Sequence, residues 1–226
     1  MKAMIFAAGK GTRLQPITAN KPKALVPVGG TPMIGRLIKK LKSIGIYQII
    51  INIHHFPEQV KAYIKKNNDF DIEITYSHED RELLDTGGGL ANARWFLDGK
   101  SPFLLHNVDI FTNIDYKRML EYHRGISPLV TLAVRDRPTS RYLLFDDRME
   151  LNGWQNVKTN ETILVDRPSA PLKRLAFSGI HVIEPEIFRF LDVPGQFRII
   201  NKYLEIASQK KLVGFEHNDG FFVDMG

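Results

Sequence analysis

The chain has no cysteine among its 226 residues. Disulfides, thiolate metal sites and cysteine nucleophiles are therefore excluded, and the composition fits a reducing cytoplasm. No run approaches the roughly 18 apolar residues of a membrane span, so no membrane association is expected. The N-terminus carries one lysine and a short apolar run that ends in a glycine turn rather than a cleavage site, so no signal peptide is expected. Internal repeats are missing too. The surplus of charge is positive, +6, yet no basic stripe is interleaved with aromatics. The lysines cluster as KKLK, KK and QKK on expected helix faces, which reads as a solvated surface and not as a nucleic-acid interface. A modest positive field also suits small polyanions such as nucleotides.

What is present is an alternation. MKAMIFA reads as a buried first strand. Thr31-Pro32 offers a cap and a first helical residue, and Met33, Ile34, Leu37, Ile38 and Leu41 follow at helical spacing until Gly45. YQIIINI (47–53) predicts a strand, Pro57 opens a helix to about Asn67, and IEITYS (72–77) predicts another strand. Gly87 to Gly89 are expected to lead into a helix over Leu90 to Phe96. PFLLHNVD (102–109) predicts a strand, DYKRMLEYH a helix and LVTLAV (129–134) a strand. This order predicts an α/β fold with a Rossmann-like, mostly parallel central sheet and helices on both faces.

Past about residue 136 the pattern changes. SRYLLFDDRMELNGWQN predicts a hairpin turning at Asp146-Asp147, residues 155–173 a loop, and LAFSGIHVI (175–183) a strand. Two short helices, PEIFRFL and IINKYLEIASQ, follow. KLVGFEH and GFFVD are expected to form a closing hairpin around Asn218-Asp219-Gly220. No segment divides domains, so one domain with a distinct second half is expected.

The first strand runs into Gly9-Lys10-Gly11-Thr12-Arg13. Glycines let a backbone approach a ligand, and an arginine adds a forked donor suited to phosphate. Neither the P-loop spacing nor the dinucleotide fingerprint is met: one residue separates Gly9 from Gly11, and Leu14 stands where a third glycine is required. The stretch AAGKGTRLQPITANKPKALVPVGGTP instead resembles the first motif of the sugar-phosphate nucleotidyltransferases, AAG-x-GTRL-x-P-[LI]-T-x₃-PK-x-L-x-PV. The likeness continues through LDTGGG, FLLHNVD, FSGI and FFVDMG. It is closest to short bacterial members, including N-acetylmuramic acid 1-phosphate uridylyltransferases, with mannose 1-phosphate guanylyltransferases as neighbours.

The resemblance implies transfer of a nucleoside monophosphate from a nucleoside triphosphate to a sugar 1-phosphate, releasing pyrophosphate, with Mg²⁺ as cofactor. It implies one nucleotidyltransferase domain over 1–226, with a nucleotide half to about residue 136 and a sugar half beyond it. Arg13 and Lys23 are the expected catalytic residues. Ala8, Gly9, Gly11, Thr12, Arg13, Thr86, Gly87, Gly88 and Asn107 are expected on the nucleotide, and Arg141, Ser178 and Gly179 on the sugar. Asp109 and Asp224 each close an apolar strand, and the resemblance makes them metal ligands. One position departs: Val108 stands where the family commonly has glycine. His54-His55 reads as structural, because adjacent side chains on extended backbone face opposite ways. The expected partners are small-molecule substrates. A nucleotide-sugar-binding subunit without turnover is the competing reading, against which the presence of Arg13, Lys23, Asp109 and Asp224 together argues.

Overall fold

In the computed structural model, which describes residues 1–79, 83–192 and 195–226, a ten-stranded sheet runs through the molecule. Its first strand, β1 (Lys2–Phe6), is followed by β2 (Pro27–Val28), β3 (Thr31–Pro32) and helix α1 (Met33–Ser43). The expected cap at Thr31 does not form. Gly29 and Gly30 turn with φ of 54° and 76°, Val28 pairs with Thr31, and the helix starts after Pro32 without a side-chain cap. The helix is held by its buried face of Met33, Ile34, Leu37, Ile38 and Leu41 instead.

The chain continues through β4 (Gln48–Ile53), α2 (Pro57–Lys66), β5 (Glu73–His78), α3 (Asp85–Asn92) and α4 (Arg94–Leu97). The glycines of TGGG lie inside α3 rather than ahead of a helix. Then come β6 (Phe103–Asn107), β7 (Ile110–Thr112), α5 (Tyr116–Ile126) and β8 (Val130–Arg135). The expected hairpin is present as β9 (Arg141–Phe145) and β10 (Leu151–Asn156). It gains a third strand, β11 (Glu161–Leu164), within the expected loop. All four residues of β11 are exposed, so no alternation marked it. Last come β12 (Lys173–Ile183), α6 (Ile199–Ala207), β13 (Leu212–Glu216) and β14 (Phe222–Asp224).

The strands order as β11-β10-β9-β12-β6-β1-β4-β5, with β8 pairing both β12 and β13. From β6 to β5 every pairing is parallel; from β12 to β11 every pairing is antiparallel. The expected closing hairpin is absent. β13 lies parallel to β8, and β14 pairs antiparallel with β7 in a separate two-stranded ribbon. The Arg135 guanidinium holds the connecting segment, donating to the carbonyls of His217, Asn218 and Gly220 at 2.8–3.1 Å.

Pleating divides the core. Ile5, Ile49 and Ile51 face α1, α2 and α5, whereas Met4, Ile50 and Leu105 face α3, α4 and α6. Helices thus cover both faces, as the alternation predicts.

Candidate active site

β1, β4 and β6 are parallel neighbours, so their carboxyl ends gather at one edge. Such an edge is where open α/β sheets bind ligands. Ala7 to Gly9, Asn52 and Asn107 to Asp109 therefore meet there, and they wall a cleft of about 320 Å³ together with Lys23 and Thr86. A second cleft of about 770 Å³ lies beyond it, walled by Arg13, Arg141, Gly179, Arg198 and Asp224. Asp85, Thr86 and Asn107 belong to both walls, so the two clefts are contiguous.

Lys23 is buried at 8% exposure and forms an ion pair with the Asp109 carboxylate. Its stem is held by the glycine turn: a Cβ on Gly11 would stand 3.0 Å from Lys23 Cβ and 2.9 Å from Thr18 Cγ2. Gly11 has φ 66°, and Thr18 Oγ1 donates to its carbonyl at 2.8 Å. The turn's second glycine thus serves close packing under Lys23, and neither Gly11 nor Thr12 lines either of these two clefts. Arg13, on the same turn, is exposed and opens into the larger cleft rather than the smaller one.

The backbones of Asp109 and Asp224 are neighbours although 115 positions separate them in sequence. β7 and β14 place Asp224 opposite Ile110, and the Met225 N–H donates to the Asp109 carbonyl at 3.0 Å. Gly226 lies against both the Asp109 carboxylate and the Lys23 ammonium. Among the described residues no group of three or more histidine, cysteine, aspartate or glutamate side chains gathers as a metal cluster. Two hard carboxylates beside open clefts fit a cation that takes its remaining ligands from phosphate and water, the habit of Mg²⁺. Val108, the position that departs from the motif, is buried in the core, and its N–H donates to the Phe6 carbonyl at 3.1 Å.

Several expected residues have packing or hydrogen-bonding partners of their own. Gly87 and Gly88 are buried in α3; a Cβ on Gly87 would fall 2.2 Å from the Phe197 ring, and one on Gly88 2.5 Å from the Gly195 carbonyl. They permit the approach of α3 to the segment before α6, which the Gly87 N–H ties down by donating to the Phe197 carbonyl at 2.8 Å. Thr86 caps α6, its Oγ1 accepting from the Ile199 N–H at 3.0 Å. Ser178 is fully buried and bonds His217 Nε2 at 2.9 Å, whereas its neighbour Gly179 faces the larger cleft. His54 donates from Nδ1 to the Glu79 carbonyl at 2.6 Å, a structural bond.

Sequence reasoning missed Asn52, Glu79, Trp154, Arg198 and Asn201, all of which line the clefts. Asn52 carried a signal: it is the polar residue in the otherwise apolar strand IIINI. Beneath the site lies His106, wholly buried. It donates from Nδ1 to the Asn107 carbonyl at 2.7 Å and accepts at Nε2 from the Tyr116 hydroxyl at 2.9 Å. Burial pushes its pKa down to about 4, so it is a neutral brace for the end of β6.

With this geometry, the nucleotidyl transferase family model matches residues 2–220. The chain belongs to the nucleotidyl transferase family. An N-acetylmuramate alpha-1-phosphate uridylyltransferase of Neisseria meningitidis is 28% identical over all of this transferase and 93% of the relative. A mannose-1-phosphate guanyltransferase of Kluyveromyces lactis is 29% identical over the whole chain, which spans 61% of that relative. Among solved structures, HddC from Yersinia pseudotuberculosis, complexed with GMP-PN, superposes with a TM-score of 0.76 at 21% identity. The match covers 99% of this chain and 93% of that one. A UDP-glucose pyrophosphorylase complexed with UDP-glucose gives 0.76 at 17% identity, over 99% and 92%. These likenesses extend the fold shared by the family over the whole transferase, including the antiparallel half. Among its described residues no helix is long and apolar enough to cross a membrane.

Proposed function

We propose that this nucleotidyl transferase joins a nucleoside triphosphate to a sugar 1-phosphate, forming a nucleotide-sugar and pyrophosphate. The observation that carries the reading is the Lys23–Asp109 ion pair in the wall of the smaller cleft, with Asp224 brought by the β7–β14 ribbon to the wall of the contiguous larger one. The smaller cleft takes the nucleotide, walled by Ala8, Gly9 and Asn107. The larger takes the sugar 1-phosphate: Trp154 and Phe177 offer apolar surface to a sugar ring, while Arg141 and Arg198 offer cations to its phosphate. Arg13, at the margin of both substrates' phosphates, takes up charge on the departing pyrophosphate.

Such a transfer needs positioning and positive charge more than covalent help. The sugar phosphate oxygen attacks the α-phosphorus, and the bond to the β-phosphate oxygen breaks. Lys23 lies between the two substrates' phosphates and stabilises charge there. To do so it trades its bond with Asp109 for one with phosphate. Asp109 and Asp224 would hold Mg²⁺, which when bound supplies further charge to the phosphates. A cysteine-free chain of this kind is suited to the cytoplasm.

Relatives named for uridylyl and guanylyl transfer leave base and sugar to be measured. Pyrophosphate release is to be followed with each common nucleoside triphosphate against a panel of sugar 1-phosphates, N-acetylmuramate and mannose derivatives included. One pair should release pyrophosphate well above the rest, and only with a divalent cation. Tight binding of a nucleotide-sugar without release from any pair would overturn the reading in favour of a binding subunit.

A further inference from the structure

A short polar run crosses the floor of the smaller cleft. The Ala7 N–H donates to Asn52 Oδ1 at 2.7 Å, Asn52 Nδ2 donates to Glu79 Oε1 at 2.7 Å, and the Leu84 N–H donates to Glu79 Oε2 at 2.8 Å. Both side chains are buried, each 3% exposed, and both line the cleft. Gly89 makes room for them, since a Cβ there would stand 2.9 Å from Glu79 Oε1 and 3.1 Å from Asn52 Nδ2. The run joins the turn after β1, on one side of the cleft, to the residues that lead into α3 on the other.

Its polarity is constrained. Both ends are backbone N–H groups, which only donate. An amide side chain passes direction on, accepting at oxygen and donating at nitrogen. Two amides in series would leave a donor facing a donor. One member must therefore accept on both sides, and an ionised carboxylate does so. We propose that Glu79 is a positioning residue: through Asn52 it fixes the separation of the two cleft walls and so sets affinity for the nucleoside triphosphate. This rests on the reading of the smaller cleft as the nucleotide site.

The same polarity predicts a rescue. Glu79→Gln alone leaves one buried donor against another, and Asn52→Asp alone sets two acceptors face to face. The double variant Asn52→Asp/Glu79→Gln restores every bond with the acceptor moved one place along. Each single variant should raise the KM for nucleoside triphosphate about tenfold or more, as expected when a buried polar group loses its partner. The KM for sugar 1-phosphate should stay within about twofold, and the double variant should recover most of the loss. Amide exchange at Ala7 and Leu84 should quicken in the single variants and slow again in the double. Should a single variant fail to fold, recovery of a folded, nucleotide-binding double variant supports the proposal equally. A Glu79→Gln enzyme with wild-type KM for nucleotide, or a double variant no better than the worse single, would overturn the proposal. If wild type turns over no substrate pair, the proposed activity falls. Nucleotide titration and amide exchange in the same variants then decide the positioning role by themselves.

Discussion

The two halves of the sheet serve the clefts in different ways. In the parallel half, β1, β4 and β6 deliver their carboxyl ends to one edge, so short residues suffice: Ala8, Gly9, Asn52 and Asn107 reach the smaller cleft from strand termini. In the antiparallel half strand ends alternate, and no such edge exists. Its contribution comes from long side chains leaning in, Arg141 and Leu143 from β9, Trp154 from β10 and Phe177 from β12. A parallel edge thus makes a site almost from backbone, while an antiparallel sheet makes one from side chains. The first kind should tolerate little change in backbone spacing, and the second should be easily retuned.

The largest effect should come where the halves meet. Lys23→Ala is expected to cut turnover on the order of a hundredfold, the scale of removing one aimed donor from a developing charge. Circular dichroism should stay native, since the residue sits on a single 3-10 turn (Lys23–Leu25) outside the ten-stranded sheet. Wild-type pyrophosphate release by this variant would remove Lys23 from the chemistry. Next come the carboxylates. Asp109→Asn and Asp224→Asn should each raise the Mg²⁺ concentration needed for half-maximal rate and lower turnover at saturation. The double variant should lose little beyond the worse single, because the pair acts as one unit. Full additivity would argue for two separate sites.

A smaller and more selective effect is expected in the antiparallel half. Arg141→Ala should raise the KM for sugar 1-phosphate by about tenfold, the worth of a charge-assisted hydrogen bond, and leave that for nucleotide nearly unchanged. Ser178→Ala should instead lower thermal stability with both KM values kept, because its hydroxyl serves His217 inside the protein. A nucleotide effect at Arg141 would erase the division of labour between the halves.

The parallel half was legible in sequence because buried strands and amphipathic helices each carry a strong period, and the opening motif and FLLHNVD together pointed to Ala8, Gly9, Lys23 and Asn107, which line one cleft. The meeting of Asp109 with Asp224 is a property of the β7–β14 ribbon, and GFFVD alone suggested a hairpin with its sequence neighbour. The connection between β13 and β14 is held by the Arg135 guanidinium, a long-range contact with no local signature. Glycines also serve packing that the sequence does not show. Gly87, Gly88 and Gly11, expected as ligand-contacting backbone, leave no room for a Cβ beside Phe197, the Gly195 carbonyl, and Thr18 with Lys23. Ser178 and Gly179 are adjacent in FSGI and face opposite ways, which the motif by itself does not tell. Glu79 carried no pattern at all; its importance follows from two donors that only the fold brings within reach.

The mildest test concerns the seam itself. β6 and β12 join the halves, and each carries a wholly buried histidine there, His106 and His181. Burial pushes their pKa values down to about 4 and about 3, the second lowered further by His106. In the unfolded chain both titrate near 6.5. As pH falls through about 6.5, the unfolded state binds protons that the folded state refuses, so folding loses stability. The loss continues until the folded pKa values are reached. Its slope is at most about 1.4 kcal/mol per pH unit for each histidine. Urea unfolding between pH 7.5 and 5 should therefore show a falling midpoint, while the ring protons of both histidines keep their neutral chemical shifts in the folded protein. His106 accepts from Tyr116 and His181 bonds the Tyr203 hydroxyl at 3.0 Å, so His106→Gln and His181→Gln can keep a polar partner for each hydroxyl. Each substitution should flatten the pH slope by its own share whatever it does to stability at pH 7.5. A midpoint that stays level down to pH 5 would mean that the seam opens to solvent, and the two halves would then be more loosely joined than their pairing implies.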